Sequence, residues 1–426
     1  MSFESAGLNL VLSKFSPVHL MAILEGIQIQ NYRSLRDVTL GKSFDNQADA
    51  LPRIMAVIGA NGVGKSSLLD ALGFIGDCLA NGVLAACDQP HRGGFERIRT
   101  LGQTGPIAFE IRFRQNKETR PISYSLRIDV DKHGSPYVAS ERLRQRRAGQ
   151  SSGQPFSFLN LVAGVGEVWA GESAKDKEGS RKIPVEFSDT QVLGVSSLGV
   201  LADHPRIAAF RDFLSGWYLS YFVPQLARSQ PMAGAEPHLN RTGENLAKYL
   251  QFIERDQPGG LKEVLQRISA KVPGLTNIDS VKAEDRRLLL RFHAQGYDKP
   301  FYQQDMSDGT LKLLAYLLLM EDPDPAPLIG IEEPENGLHH QLLQTLATEF
   351  KQYAQRPRGP QVLITTHSPY LIDALSPSEV WILGKGSDGF STLTRTADIE
   401  GVQSLFEEGL PSGSLWFSNH FSTEST

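Results

Sequence analysis

The chain has 426 residues, with 43 Lys and Arg against 48 Asp and Glu, a formal charge of −5. Hydrophobic residues make up 40%, and the 39 glycines and 24 prolines are scattered, which excludes a collagen-like, mucin-like or wholly disordered chain. The acidic balance excludes a surface that is basic throughout, no apolar run reaches the roughly 20 residues of a membrane span, and two cysteines, Cys78 and Cys87, support neither a zinc site nor a disulfide framework, so a cytoplasmic protein without membrane contact is expected.

Residues 1–20 carry Glu4 and Lys14 and lack a signal-peptide pattern; they are expected to be a disordered extension. Ile23–Gln30 reads as a strand, Asn31–Ser34 as a turn and Leu35–Leu40 as a second strand. After a loop at 41–52, Arg53–Ile58 is an apolar strand feeding a glycine-rich turn and a helix from about Lys65 to Leu79. Strand-like runs at Ile107–Arg114, Ile122–Val130 and Tyr137–Arg146 suggest an antiparallel meander. Residues 148–190, rich in Gly, Ser and Lys, read as loops, and 198–220 and 243–270 as helices. Then follow a strand at Arg287–Phe292, a helix at Ser307–Met320, an apolar strand at Leu328–Glu332, a helix at Leu338–Tyr353 and a strand at Gln361–Thr365. Such alternation implies a parallel sheet covered on both faces.

Gly59-Ala60-Asn61-Gly62-Val63-Gly64-Lys65-Ser66 follows a strand and opens a helix. Glycines permit the positive φ values that turn consecutive N–H groups inward, and the helix N-terminus favours negative charge, so this loop suits a di- or triphosphate. Lys65 is placed to reach the β and γ oxygens and Ser66 to ligate Mg²⁺, with Ser67 beside it. The Leu328–Glu332 strand ends in a carboxylate pair: Glu332 is the candidate Mg²⁺ ligand and Glu333 the group that polarises the attacking water. Taken alone, such a pair reads as two solvated acids; the phosphate loop upstream reverses that. His367, immediately after a strand, is a candidate contact for the γ-phosphate or the water. Asp305–Thr310 opens an apolar helix, and Ser307 or Asp308 can cap it.

These motifs in this order resemble an ABC-type ATPase of the RecF/SMC-like, OLD-like branch, the AAA ATPases of bacterial defence operons. The marks are IQIQNYRSLRDVTL, GANGVGKSS, the signature-like SDGT, IGIEEPENGLHH and ITTHSP. The resemblance implies two protomers sandwiching two ATP molecules, with Ser307 and Gly309 of one meeting the γ-phosphate held by Lys65 of the other. It also implies Arg33 near the phosphates, Asn336–His339 as a D-loop, and either Gln103 or Gln145 as the Q-loop glutamine. Glu332 stands where such proteins usually carry Asp, and the short SDGT argues against an ordinary transporter subunit, the alternative function. No heptad run supports a coiled-coil arm and no acidic cluster after His367 supports a Toprim nuclease.

The expected fold is therefore α/β: a P-loop NTPase with an ABC-type ATPase head, mixed and parallel sheet flanked by helices, an antiparallel subdomain and a largely helical insertion. Its expected divisions are an N-terminal lobe at 21–147, the insertion at 148–282 and a C-terminal lobe at 283–426. The expected function is a slow, Mg²⁺-dependent ATPase acting as a dimeric switch over a separately encoded nuclease or toxin. DNA is a candidate partner through Arg142, Arg144, Arg146 and Arg147, or Arg92, Arg97 and Arg99, although a solvated arginine face reads equally well. A kinase or GTPase would show a base-reading Asn-Lys-x-Asp, which Asn116-Lys117-Glu118-Thr119 does not complete.

Overall fold

A computed structural model describes residues 22–43, 48–147, 150, 153–170, 181–272 and 274–421. The extension expected at 1–20 lies outside the described residues. The chain divides into two compact units, one of Met1–Leu51, Asp70–Trp217 and Lys385–Leu393, the other of Pro52–Leu69, Tyr218–Gly384 and Thr394–Thr426.

The first unit is built on an eight-stranded antiparallel sheet. Its order is Leu35–Gly41, Ile23–Tyr32, Ile107–Arg114, Ile122–Val130, Pro136–Gln145, Phe156–Val162, Val165–Ala170 and Arg181–Glu186. Alternation sets its inner face: Ile107, Phe109, Ile111 and Phe113 are buried while the residues between them are only half-buried. The helix Pro205–Ser215 packs on that face, with Phe213 4.5 Å from Phe113 and Phe210 4.8 Å from Tyr124 between ring centroids. On the other face Arg142 donates to Ser157 Oγ, whereas Arg146 lies beyond the strand end at Gln145. Arg92 is no surface arginine: it is buried against Asp70 and Asp77.

The second unit is built on five mutually parallel strands, in the order Tyr218–Ser220, Leu328–Glu332, Gln361–Thr366, Ile54–Ile58 and Val380–Lys385. Its central strands are buried along nearly their whole length, as expected of parallel strands covered on both faces. Gly330 is required in one of them: a Cβ there would lie 2.5 Å from Leu219 and 3.0 Å from Leu69. Helices Leu246–Asp256, Pro258–Ser269, Asp308–Leu319 and His340–Gln355 line the same core through Tyr249, Val264, Leu314 and Phe350. A three-stranded sheet, Leu275–Lys282, Leu288–Ala294 and Phe301–Tyr302, completes this unit.

Three readings of the sequence change. The segment read as loops at 148–190 contributes three strands to the antiparallel sheet, at Phe156–Val162, Val165–Ala170 and Arg181–Glu186. The single helix read over 243–270 breaks at Gln257, because Pro258 has no N–H to continue the ladder and restricts the residue before it. The helical reading of 198–220 resolves into Pro205–Ser215 followed by the short strand Tyr218–Ser220.

Candidate functional site

Strand register assembles the site. Glu332 is paired with Thr365 and Thr365 with Val57, so the chain leaves three adjacent parallel strands at one level, delivering Glu333, His367 and the 59–64 loop to the same sheet edge. In the loop Gly62 has φ 80° and Gly64 φ 112°, values that a side chain would strain. Gly59 is buried, with its missing Cβ facing the Leu383 carbonyl. Ala60, Asn61 and Gly62 are exposed, Val63 is buried, and Ser66 stands exposed in the first helical turn with Ser67 half-buried behind it.

Lys65 is buried, and its ammonium donates to the carbonyls of Gly59 (2.9 Å) and Ala60 (3.0 Å) and lies 3.4 Å from Glu333 Oε1. Glu333 sits at φ 39°, in the left-handed region, where a non-glycine residue costs on the order of 1 kcal/mol and persists only when its surroundings hold it. Its N–H donates to the Thr365 carbonyl and its Oε2 accepts from Asn336 Nδ2 at 3.0 Å. Burial pushes its carboxyl up, but the Asn336 hydrogen bond, the Lys65 ammonium and His367 together outweigh that and hold it below the usual glutamate range. A carboxylate kept charged beside the buried Lys65 is available to accept a proton.

His367 Nδ1 lies 3.5 Å from Glu333 Oε1 and 3.2 Å from Glu335 Oε1. Glu335 went unnoticed in the sequence, where a glutamate following Glu-Glu-Pro reads as solvated; it is buried. Lys312 was missed as well. It is a buried lysine one turn into the Asp308–Leu319 helix, donating to the carbonyls of Glu333 and Asn336, both at 3.1 Å. Burial drives its ammonium toward the neutral form, and the carboxylates of Glu335, Glu333, Asp308 and Glu332 only partly oppose this, leaving it below the ordinary lysine value.

Ser307 caps this helix, its Oγ accepting from Thr310 N. Gly309 presses on the Gly337 carbonyl, an approach that any Cβ would block. A recess of about 370 Å³ between this helix start and the carboxylate pair is lined by Tyr221, Phe222, Lys312, Glu332, Glu333 and Asn336 among others. The structure thus brings Lys65, Glu333 and His367 together, and it links Gly309 to the turn after Glu333. Arg33 belongs to the other unit, on the turn before Leu35, where it pairs with Asp70 at 2.9 Å and donates to the His91 carbonyl.

Gln103 and Gln145 also belong to the antiparallel unit, where Gln145 donates to the Arg120 carbonyl. Sheet order identifies another glutamine. Tyr218–Ser220 runs parallel to Leu328–Glu332, with Ser220 opposite Ile331, and leads directly into Tyr221–Gln225, so Gln225 follows the strand beside the carboxylates. That strand is three residues long and gave no periodic signal.

The donor set fits a hard divalent cation. Glu332 is half-buried at its strand end and accepts no hydrogen bond from a described residue, and the Ser66 hydroxyl is exposed at the helix start. No group of three or more His, Cys, Asp or Glu among the described residues is disposed to hold a metal. Among the described residues no helix is long and apolar enough to cross a membrane.

Fold and site together define a P-loop ATPase with an SMC-head-like fold. Residues 54–373 match the family described as "AAA domain, putative AbiEii toxin, Type IV TA system", and the chain belongs to that family. Among solved structures it is similar to an Smc head bound to the C-terminal winged-helix domain of ScpA, at 14% identity, covering 87% of this chain and 97% of that one with a TM-score of 0.52. It is also similar to the Smc head of Pyrococcus furiosus with an extended coiled coil, bound to the C-terminal domain of ScpA (13% identity, 91% and 99% covered, TM-score 0.47), and to the Thermotoga maritima SMC head domain (13%, 87% and 98%, 0.41). The first of these shows the fold, that of an SMC-head-like ATPase. Comparison with curated protein sequences returns no match.

Proposed function

We propose that this protein is a cytoplasmic, Mg²⁺-dependent ATPase of the OLD-like branch that works as a dimeric switch in anti-phage defence, controlling a separately encoded nuclease or toxin. The observation that carries the hydrolytic reading is the convergence of Lys65, Glu333 and His367 at one sheet edge. Loop amides of 59–64 and Lys65 bind the β- and γ-phosphates of ATP; Ser66 and Glu332 hold the Mg²⁺, which neutralises phosphate charge when bound. Glu333 accepts a proton from the attacking water as its oxygen bonds to the γ-phosphorus, and the bond to the β-phosphate oxygen breaks to release ADP. His367 orients the γ-phosphate, and Gln225 serves as the Q-loop glutamine.

Ser307 and Gly309 complete the partner's site in the closed dimer. The segment 148–282, which contributes to both units, carries the output, with duplex DNA as the candidate trigger. The family description names a toxin of a type IV toxin–antitoxin system, which supports an ATPase in a defence setting.

The test is light scattering of Glu333→Gln protein with and without Mg²⁺-ATP, with short duplex DNA in parallel. Hydrolysis should fall by roughly 10²- to 10³-fold with nucleotide binding intact, and the mass should double with ATP. Normal hydrolysis would remove Glu333 as the base; an unchanged mass with ATP bound would remove the sandwich.

A further inference from the structure

Glu335 is unusual among the acids at this sheet edge because it is almost wholly buried yet faces a histidine. Its side chain is 5% exposed. Oε1 accepts from Thr366 Oγ1 at 2.7 Å and from the His367 backbone N–H at 2.8 Å, and Thr366 Oγ1 in turn accepts from Ser368 N at 2.9 Å. The same oxygen is 3.2 Å from His367 Nδ1. An oxygen that already receives two donors is an acceptor, and a lone pair on Nδ1 pointed at it would be repelled. The proton therefore sits on Nδ1. The second carboxylate facing this nitrogen, Glu333 Oε1 at 3.5 Å, favours the same arrangement, and its own neighbour is the Lys65 ammonium.

Ring geometry then turns Nε2 away from both carboxylates, and Nε2 makes no hydrogen bond among the described residues. From this geometry we infer that Glu335 is a positioning residue for His367: it fixes the ring orientation and the Nδ1–H tautomer, so that Nε2 is the nitrogen presented to the reacting phosphate or water. The comparable device elsewhere is a carboxylate that orients a working histidine from behind. Glu335 itself touches neither phosphate nor water in this scheme. The inference rests on the hydrolytic reading for its purpose, but the tautomer can be measured without any nucleotide.

The experiment uses the full chain labelled with ¹⁵N-histidine, at mildly alkaline pH where imidazoles are neutral, and assigns His367 by its loss in His367→Gln. Long-range ¹H–¹⁵N spectra of wild type should show His367 as the Nδ1–H form, whereas an unconstrained histidine favours Nε2–H. Glu335→Gln should keep the Nδ1–H form, because the three donors around Oε1 dictate that the amide oxygen occupies its place. Glu335→Ala should revert to Nε2–H. In parallel, Glu335→Ala should lose roughly 10- to 100-fold in kcat with KM for ATP nearly unchanged, and Glu335→Gln should restore kcat to within about threefold of wild type.

An Nε2–H wild type, or an Nδ1–H form that survives Glu335→Ala, overturns the inference. If Glu335→Ala does not fold, the wild-type tautomer and the Glu335→Gln rescue still decide it. If the wild-type chain turns over no ATP, the hydrolytic reading fails while the spectra still judge Glu335.

Discussion

Glu141 in the antiparallel sheet is fully buried and Glu333 at the edge of the parallel sheet is half-buried, and their carboxyls move in opposite directions. Glu141 is fully buried, and burial pushes it up to about 7 despite hydrogen bonds from Val195 N, Gly194 N and Tyr124 Oη. Glu333 keeps a lysine and an asparagine within reach and stays below the glutamate range. Antiparallel strands hide a carboxylate between the sheet and the 194–198 segment, where it holds structure together. Parallel strands release their carboxylates at a common end, beside a phosphate loop, where charge is kept available. The direction of each shift therefore follows the company the carboxylate keeps as well as its burial.

The largest expected effect is on the parallel side. Lys65→Ala should lower ATP affinity by roughly 100-fold or more in a fluorescent-nucleotide titration, since a charged donor to the phosphates disappears, while urea unfolding stays cooperative. Retained affinity would mean that the 59–64 amides suffice.

Next comes Glu141→Ala, which strands two buried backbone donors and a tyrosine hydroxyl. It should cost about 3 kcal/mol in urea unfolding without changing the ATP affinity of the folded protein. Glu141 also predicts a pH signature. The folded carboxyl keeps its proton up to about 7, whereas 4.5 is the ordinary glutamate value, so the native state binds more protons in that window. Stability from this group therefore falls as pH rises through the window and levels off above it. Glu141→Gln, uncharged throughout, should remove that slope, a difference on the order of 3 kcal/mol between roughly pH 5 and pH 8 relative to wild type. A parallel pH dependence in both proteins would show that Glu141 ionises normally in the fold.

The smallest expected effect is that of Lys312→Met, which keeps the apolar stem and deletes the ammonium that bridges the Glu333 and Asn336 carbonyls. It should slow hydrolysis by about tenfold with affinity unchanged. An unaffected rate would leave Lys312 a packing residue and place the whole chemical difference between the two sheets in Lys65, Glu333 and His367.

Much of this comparison was legible in the sequence, for identifiable reasons. Buried parallel strands appear as short apolar runs, and Leu328–Glu332 is found with its bounds as read; regular alternation did the same for Ile107–Arg114 and Ile122–Val130. Val165–Ala170 and Arg181–Glu186 escaped because they extend the sheet with few buried side chains, Val168 being the buried exception, so no apolar stripe announces them. Glu335 and Lys312 escaped for the opposite reason: charged residues are read as solvated, and their burial arises only when the Gln361–Thr366 strand and the Asp308–Leu319 helix are brought against the 333–337 turn. Gln225 is found by sheet order and not by any local pattern.

The 333–337 turn is stitched to the Asp308–Leu319 helix at two points, by the Lys312 ammonium on two of its carbonyls and by Gly309 against the carbonyl of Gly337. Neither stitch passes through a flexible side chain on the turn, so the helix start and the backbone of Glu333 shift together. A displacement of Ser307 would be passed on to the backbone of Glu333. In a head-to-tail pair, where Ser307 would lean on the neighbour's nucleotide, filling one site would set the geometry of the other. Two such levers facing each other amount to a coincidence detector, whose rate of hydrolysis would rise more steeply than linearly with ATP.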